Sequence, residues 1–248
     1  MDLNSLPPDV AEELEAVVKA INGLRAGAAN HTPSRSIPTS DPAVVAVSQA
    51  NEGAMKDLVP LGFTSLGYAG EPRKDGSIAA SLWFRHEDGT VCGWLGFIKT
   101  KDGPRLVLFF MTELPGPAYC TTIRGGSGLS LARPPFVSHA DLDAKVSLTE
   151  MLAQHRARVS SLPATPTKVA TMEDAIAMIE RLHQSRMDWR ASIAEDELFR
   201  ADCKSVLANS YRTMKPGDFR LIYSNAVEWL GFQPEQELGT FTYRLKRS

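Results

Sequence analysis

The chain has 248 residues, of which 43% are hydrophobic and 23% charged, a composition that suits a globular protein with a sizeable apolar core. Its 27 basic and 29 acidic residues give a formal net charge of −2, which argues against the strong basic field that nucleic-acid binding needs. Three cysteines without a CxxC pair argue against a disulfide framework and a structural zinc site, and they fit a reducing, cytoplasmic setting.

The amino terminus, MDLNSLPPDV, is acidic and contains prolines, so it lacks the basic flank and the apolar run of a signal peptide. No stretch of the sequence approaches the roughly 18–20 apolar residues of a membrane span. We therefore expect a protein without direct membrane insertion.

The first predicted element is an amphipathic helix over residues 1–25. Its apolar residues recur at three- and four-residue spacing and form one stripe: Val10, Leu14, Val17 and Ile21. Residues 26–42 are rich in Pro, Ser, Thr and small residues without periodicity, which predicts a flexible linker. The stripe either packs on the main body, residues 43–248, or serves as a tethered helix that binds a partner. In the second case these four residues are the partner-binding candidates.

A second helix is expected after Asp41 and Pro42, which are typical of an N-cap and of a first helical residue. Gly53 weakens this prediction, because glycine inside a helix costs about 1 kcal/mol relative to alanine. From residue 61 the apolar period changes to two, and turn signals such as Asp88-Gly89 separate the runs. Residues 61–123 are therefore expected to form an antiparallel meander of about five strands.

The carboxy-terminal half is expected to be helical over residues 147–230. Ser147 and Glu150 have the spacing of a capping box, in which each side chain accepts a hydrogen bond from the other residue's backbone amide. Residues 240–245 alternate between apolar and polar types, which predicts a final short strand. The fold class expected from these elements is α+β, with helices packed on the meander.

The segment TTIRGGSGL, residues 121–129, is the most glycine-dense part of the chain. It lacks the spacing of a phosphate-binding P-loop, of a dinucleotide-binding GxGxxG motif and of the GxSxG turn that presents a nucleophilic serine. No cofactor is therefore predicted. We interpret the segment as a turn that leaves the sheet, in which Arg124 is the one group suited to anion binding.

Four residues are candidates for catalysis: His155, Arg124, Asp141 and Cys120. A histidine exchanges protons near neutrality, and a thiolate is a nucleophile. Each candidate also has a structural interpretation, since His155 falls toward the buried side of its helix and Cys120 is a small residue in a strand. His139-Ala140-Asp141-Leu142-Asp143 offers an imidazole and two carboxylates, but no further ligand pair accompanies it, so no metal site is predicted.

The order of short motifs in residues 61–159 resembles an uncharacterised bacterial protein family. The motifs are LGF at 61–63, LGY at 66–68, LWF at 82–84, DGTV at 88–91, TEL at 112–114, a TT pair at 121–122 and HR at 155–156. The family has no known activity, so the resemblance implies no catalytic residues. It implies that the sheet and the helix after it form one unit.

Two hypotheses about function follow from these patterns. The first is a non-enzymatic binding protein of the immunity or adaptor kind that acts through a protein partner, because no catalytic or cofactor motif is complete and the charge is balanced. The alternative is an enzyme or small-molecule binder that uses a pocket between the sheet and the helices. The sequence leaves enzymatic activity and oligomeric state undecided.

Overall fold

The structure is a computed structural model that describes residues 3–73, 76–100, 103–116, 118–126 and 129–238. In these ranges the chain forms two compact units. The helical unit comprises the described residues within 3–31, 129–133 and 188–238, and the sheet unit comprises those within 32–126 and 134–187. Within the segment expected to be a linker, residues 26–31 belong to the helical unit and residues 32–42 to the sheet unit. Within the described ranges, no helix has both the length and the apolar character needed to cross a bilayer.

The sheet unit is built on strands that lie side by side in chain order. Its seven described strands are β1 (Arg35–Ile37), β2 (Phe63–Pro72), β3 (Ile78–His86), β4 (Cys92–Thr100), β5 (Gly103–Leu114), β6 (Ala118–Arg124) and β7 (Val137–Leu142). Neighbours from β1 to β6 pair antiparallel, whereas β7 runs parallel to β6. The predicted α+β class is confirmed. The sheet has more strands than predicted, and it is mixed because β7 is parallel to β6.

The prediction of a five-stranded, purely antiparallel meander is wrong at both edges of the sheet. β1 lies in the segment expected to be a linker, where three residues are too few to show an alternating pattern. β7 lies between the expected meander, residues 61–123, and the expected helical half, residues 147–230. It is parallel to β6, with Val137 opposite Tyr119. Parallel pairing uses a long connection without a hairpin turn, so no local signal in the sequence marks it. The strand expected over residues 240–245 lies outside the described residues.

Helices cover both faces of the sheet, because its central strands place apolar side chains on each face in alternation. On one face, here the α4 face, α3 (Ser48–Leu58) and α4 (Leu148–Ser160) pack on a cluster that includes Phe84 and Phe110. On the opposite α5 face, α5 (Met172–Ala191) packs on a cluster that includes Trp83 and Met111. The buried side chains of the central strands therefore lie between the sheet and one of these helices.

Side-chain caps fix where two helices of this unit begin. Asp41 accepts a hydrogen bond from the Ala43 amide (2.9 Å) at the start of α2 (Pro42–Val45), as its N-cap prediction requires. Ser147 Oγ accepts from the Glu150 amide (3.1 Å) at the start of α4. The expected return bond is replaced, because the Glu150 carboxylate accepts from Gln154 Nε2 (2.9 Å) one turn further along.

The helical unit is formed by α1 (Pro8–Ala29), α6 (Glu195–Thr213), α7 (Pro216–Ile222), α8 (Ser224–Leu230) and α9 (Pro234–Glu237). α1 packs against α6 and α8. The apolar stripe of α1 lies in the core between them: Val10, Leu14, Val17 and Ile21 are all buried. Partner binding through this stripe therefore stays a prediction that requires α1 to leave the core of its own unit.

One buried carboxylate connects the elements of the helical unit. Asp202 of α6 is fully buried and accepts from Arg190 through both oxygens (Nη1–Oδ1 3.0 Å, Nη2–Oδ2 2.6 Å). Arg25 of α1 donates to Asp202 Oδ2 (Nε, 2.9 Å), and the Ala132 amide donates to Oδ1 (2.8 Å). A buried charge is tolerated only when it is paired and hydrogen-bonded, so these four contacts hold α1 and residues 129–133 on α6.

Replacing Asp202 by alanine is expected to destabilise the helical unit by about 3–5 kcal/mol, because two buried or half-buried guanidinium groups lose their counter-charge. Hydrogen exchange of the amides of α1 and α6 measures this loss. As a matched control, Arg220→Ala breaks the exposed pair with Glu235 and is expected to cost no more than about 1 kcal/mol. Equal effects of the two variants would contradict the structural role of Asp202.

Candidate functional site

A buried polar cluster lies under α4, where most of the surrounding core is apolar. His155 of α4, Thr112 of β5 and Thr122 of β6 are each fully buried, and the two threonines project from neighbouring strands toward the helix. His155 Nε2 lies 3.0 Å from Thr112 Oγ1, and His155 Nδ1 lies 2.7 Å from Thr122 Oγ1. Both ring nitrogens are therefore hydrogen-bonded inside the protein.

The hydrogen bonds of the two threonines determine the tautomer of His155. Thr112 Oγ1 donates to the Thr90 carbonyl oxygen (2.8 Å), so it accepts from His155 and the proton is on Nε2. Thr122 Oγ1 accepts from the Arg158 guanidinium, which leaves its own proton available for His155 Nδ1. The chain from Arg158 to Thr90 therefore suits a neutral imidazole.

The electrostatic environment of His155 also favours the neutral ring. Burial, reinforced by the positive charges of Arg158 and Arg156, lowers the pKa of His155 to about 3. A general base needs a pKa near the working pH and an open path to its substrate. With its ring covered and both nitrogens bonded, His155 is arranged as a structural group of the α4 face.

Arg158, near the end of α4, forms hydrogen bonds to the same cluster. Its Nη2 donates to the Thr121 carbonyl oxygen (2.9 Å) and to the Thr122 hydroxyl, and its Nη1 donates to Ser138 Oγ (3.3 Å). Burial lowers the pKa of Arg158. These bonds join β6, β7 and α4, and they explain why the parallel edge strand is held in place.

The four catalytic candidates do not assemble into one constellation. Cys120 is fully buried beside α4, with Sγ 3.9 Å from the His155 carbonyl oxygen, and burial raises the pKa of its thiol. Asp141 pairs in register with Ile123, one position from Thr122, so it lies on the α5 face while His155 lies on the α4 face. Arg124 is bonded elsewhere.

Arg124 lies at the end of β6, where the glycine-dense segment begins. Its Nη1 donates to the Val146 carbonyl oxygen (2.9 Å) just before α4. Gly125 follows with φ +75°, and a Cβ there would lie 2.9 Å from the Leu106 carbonyl oxygen, so only glycine fits this turn. Ser127 and Gly128 lie outside the described residues. Arg124 lines a cavity of about 240 Å³ between α3 and the sheet.

Sequence reasoning missed a second charged cluster at the turn between β3 and β4. Asp88 Oδ2 lies 3.0 Å from His86 Nδ1 and 3.0 Å from Arg156 Nη2, and Arg156 Nη2 lies 2.9 Å from His86 Nε2. Arg156 borders a cavity of about 490 Å³ whose other walls include Thr90 and Leu162. The sequence Asp88-Gly89 predicts the hairpin turn, but no local pattern predicts that Arg156 contacts this turn.

Within the described residues, no group of three or more His, Cys, Asp or Glu side chains is placed to hold a metal ion. Comparison of the chain with protein-family models, with curated proteins and with solved structures finds no match in any of the three. The resemblance of residues 61–159 to an uncharacterised bacterial family therefore stays a prediction.

Replacing His155 by glutamine tests its neutral, buried state through the pH dependence of stability. In the folded chain His155 stays neutral until about pH 3, whereas an unperturbed histidine takes up a proton near 6.5. Below about pH 6.5 the unfolded chain thus binds more protons than the folded chain. The free energy of unfolding of the wild type therefore falls as the pH falls, by up to about 1.4 kcal/mol per pH unit. The His155→Gln variant lacks this pH-dependent contribution. In urea denaturation, the amount by which the variant is less stable than the wild type is therefore expected to shrink between about pH 7 and about pH 5.

The matched control is Met151→Ala, which truncates a fully buried residue of the same helix without changing a titratable group. It is expected to lower stability at both pH values and to keep the wild-type slope. If the stability of His155→Gln falls with pH as steeply as that of the wild type, His155 is not a buried neutral group.

Proposed function

We propose that the chain is a non-enzymatic binding protein that acts through a protein partner. The geometry of the catalytic candidates supports this proposal, because His155 is neutral and covered, the Cys120 thiol is disfavoured as a thiolate, and Asp141 lies on the other face of the sheet. All three cysteines are free and buried, which fits the reducing, cytoplasmic setting expected from the sequence.

The observation that carries the proposal is an exposed apolar pair on α7. Leu221 is 81% exposed and Ile222 is 48% exposed, in a unit whose buried apolar side chains form one core. Beside them in the chain, Arg220 and Ser224 border a cavity of about 380 Å³ that Val227 also lines. Exposed apolar residues next to a polar-rimmed cavity are typical of protein-binding surfaces.

Partner capture with the full chain tests this surface. Immobilised wild type is expected to retain a cellular protein that the double variant Leu221→Ser/Ile222→Ser retains at least about tenfold less, because the apolar contact contributes 1.4 kcal/mol or more of binding free energy. The thermal unfolding of the double variant should match that of the wild type, since both side chains are exposed.

The matched control is Val45→Ser/Val59→Ser, which removes two equally exposed apolar side chains of the sheet unit (63% and 59% exposed). This control should capture the partner as the wild type does. Equal capture by wild type and the α7 double variant would exclude this surface.

A second candidate function is small-molecule binding in the cavity between α3 and the sheet. The observation that favours it is Arg124, a half-buried guanidinium that projects into a cavity otherwise lined mainly by leucines. Ligand sites commonly combine apolar walls with a few convergent polar groups. An enzymatic form of this alternative needs a reacting group at the same cavity, and His155 and Cys120 are not among its lining residues.

A further inference from the structure

The cavity between α3 and the sheet has an apolar interior and a charged border. Its inner wall is made of leucines from α3, β4, β5 and α4: Leu58, Leu95, Leu106, Leu108 and Leu148. Its volume is about 240 Å³. Pockets for drug-sized ligands span about 300–1,000 Å³, so this cavity suits a smaller molecule that has an aliphatic part.

Two opposite charges border the cavity without pairing with each other. Arg124 contributes one hydrogen bond to the Val146 carbonyl oxygen, which leaves most of its five N–H donors unused. Asp57 of α3 lines the same cavity and is exposed. Among the described residues, no ion pair joins Arg124 or Asp57 to each other or to any other side chain. Burial lowers the pKa of Arg124, and the negative charge of Asp57 acts in the opposite direction, so the two groups attract each other without forming an ion pair. The cavity therefore has a cation and an anion on its border.

The helix above the cavity leaves room at the entrance. Ala50, Gly53 and Ala54 line the opening on α3, one turn before Asp57. A Cβ built on Gly53 would meet no atom within 4 Å. Glycine inside a helix costs about 1 kcal/mol relative to alanine, and folding alone provides no reason for it where space is open. Gly53 therefore leaves open space on the α3 side of the cavity.

We propose that this cavity binds a small zwitterion, namely a free α-amino acid with an aliphatic side chain. The carboxylate is held by the guanidinium of Arg124, the ammonium group by Asp57, and the side chain by the leucines. This inference rests on the second candidate function, small-molecule binding, and names its ligand class.

The two charges exclude the simpler ligands of the same size. A fatty acid without an amine would pair with Arg124 but place no cation at Asp57, and an alkylamine would pair with Asp57 but place no anion at Arg124. A fully polar ligand would leave its hydrogen-bonding groups unpaired against the leucines, which is costly. Only a molecule with an anionic group, a cationic group and an apolar part contacts Arg124, Asp57 and the leucines at the same time.

Calorimetric titration of the full chain with three matched compounds tests the inference. The compounds are L-leucine, 4-methylpentanoate, which lacks the amine, and 3-methylbutylamine, which lacks the carboxylate. L-leucine is expected to bind with one-to-one stoichiometry, and each of the other two at least tenfold more weakly. Equal affinity for L-leucine and 4-methylpentanoate overturns the zwitterion inference but leaves small-molecule binding standing, whereas no heat with any of the three overturns both.

Variants at the cavity localise the binding. Asp57→Asn, at an exposed residue, should reduce L-leucine binding at least tenfold while leaving that of 4-methylpentanoate unchanged or improved. Arg124→Gln should reduce the binding of both carboxylates. Gly53→Leu, which narrows the opening, should abolish binding, and Gly53→Ala, which adds one methyl group in open space, should retain it. Undiminished L-leucine binding by Asp57→Asn and Gly53→Leu overturns the assignment to this cavity even if Arg124→Gln fails to fold.

Discussion

The hydrogen-bonded chain through His155 is the constraint that fixes α4 on the sheet. A buried imidazole is tolerated only when both nitrogens are bonded, and Thr112 and Thr122 satisfy them from adjacent strands. The position of α4 then decides its surroundings. Its first turn brings Leu148 to the smaller cavity, and its later turns place Arg156 at the larger one and Arg158 on β6 and β7. The hydrogen bonds of His155 thus help to set the α4 walls of these two cavities.

The charges of the protein fall into two classes that differ in how they are compensated. Asp202 accepts four hydrogen bonds inside the helical unit, and Glu113 holds Arg181 through both carboxylate oxygens in the sheet unit. Such groups stabilise the packing of the elements that they connect. Arg124 and Asp57 line one cavity without forming an ion pair, and the negative charge of Asp57 only partly offsets the cost of burying Arg124. This less complete compensation distinguishes Arg124 from the paired arginines, and it supports the proposed ligand site.

The apolar side chains also fall into two classes, those that are buried in a core and those that are exposed on the surface. The stripe of α1 is a regular amphipathic pattern, and it packs against α6 and α8. Leu221, in contrast, lies in a helix too short to show a clear period, yet it is 81% exposed. Amphipathicity identifies a face that must be covered, but it does not identify what covers it. The candidate surface for a protein partner therefore moves from α1 to α7.

The sequence by itself determined what depends on neighbours along the chain: the helix caps at Asp41 and Ser147, the hairpin at Asp88-Gly89, and the alternating strands of the central sheet. These features follow from backbone hydrogen bonds and side-chain periods that span a few residues. Only the tertiary structure decided that β7 runs parallel to β6, that His155 is a neutral core group, and that α3 and β6 bring Asp57 and Arg124 to one cavity. The physical reason is that burial, hydrogen-bond partners and charge pairing are set by contacts between distant segments, which no local pattern encodes.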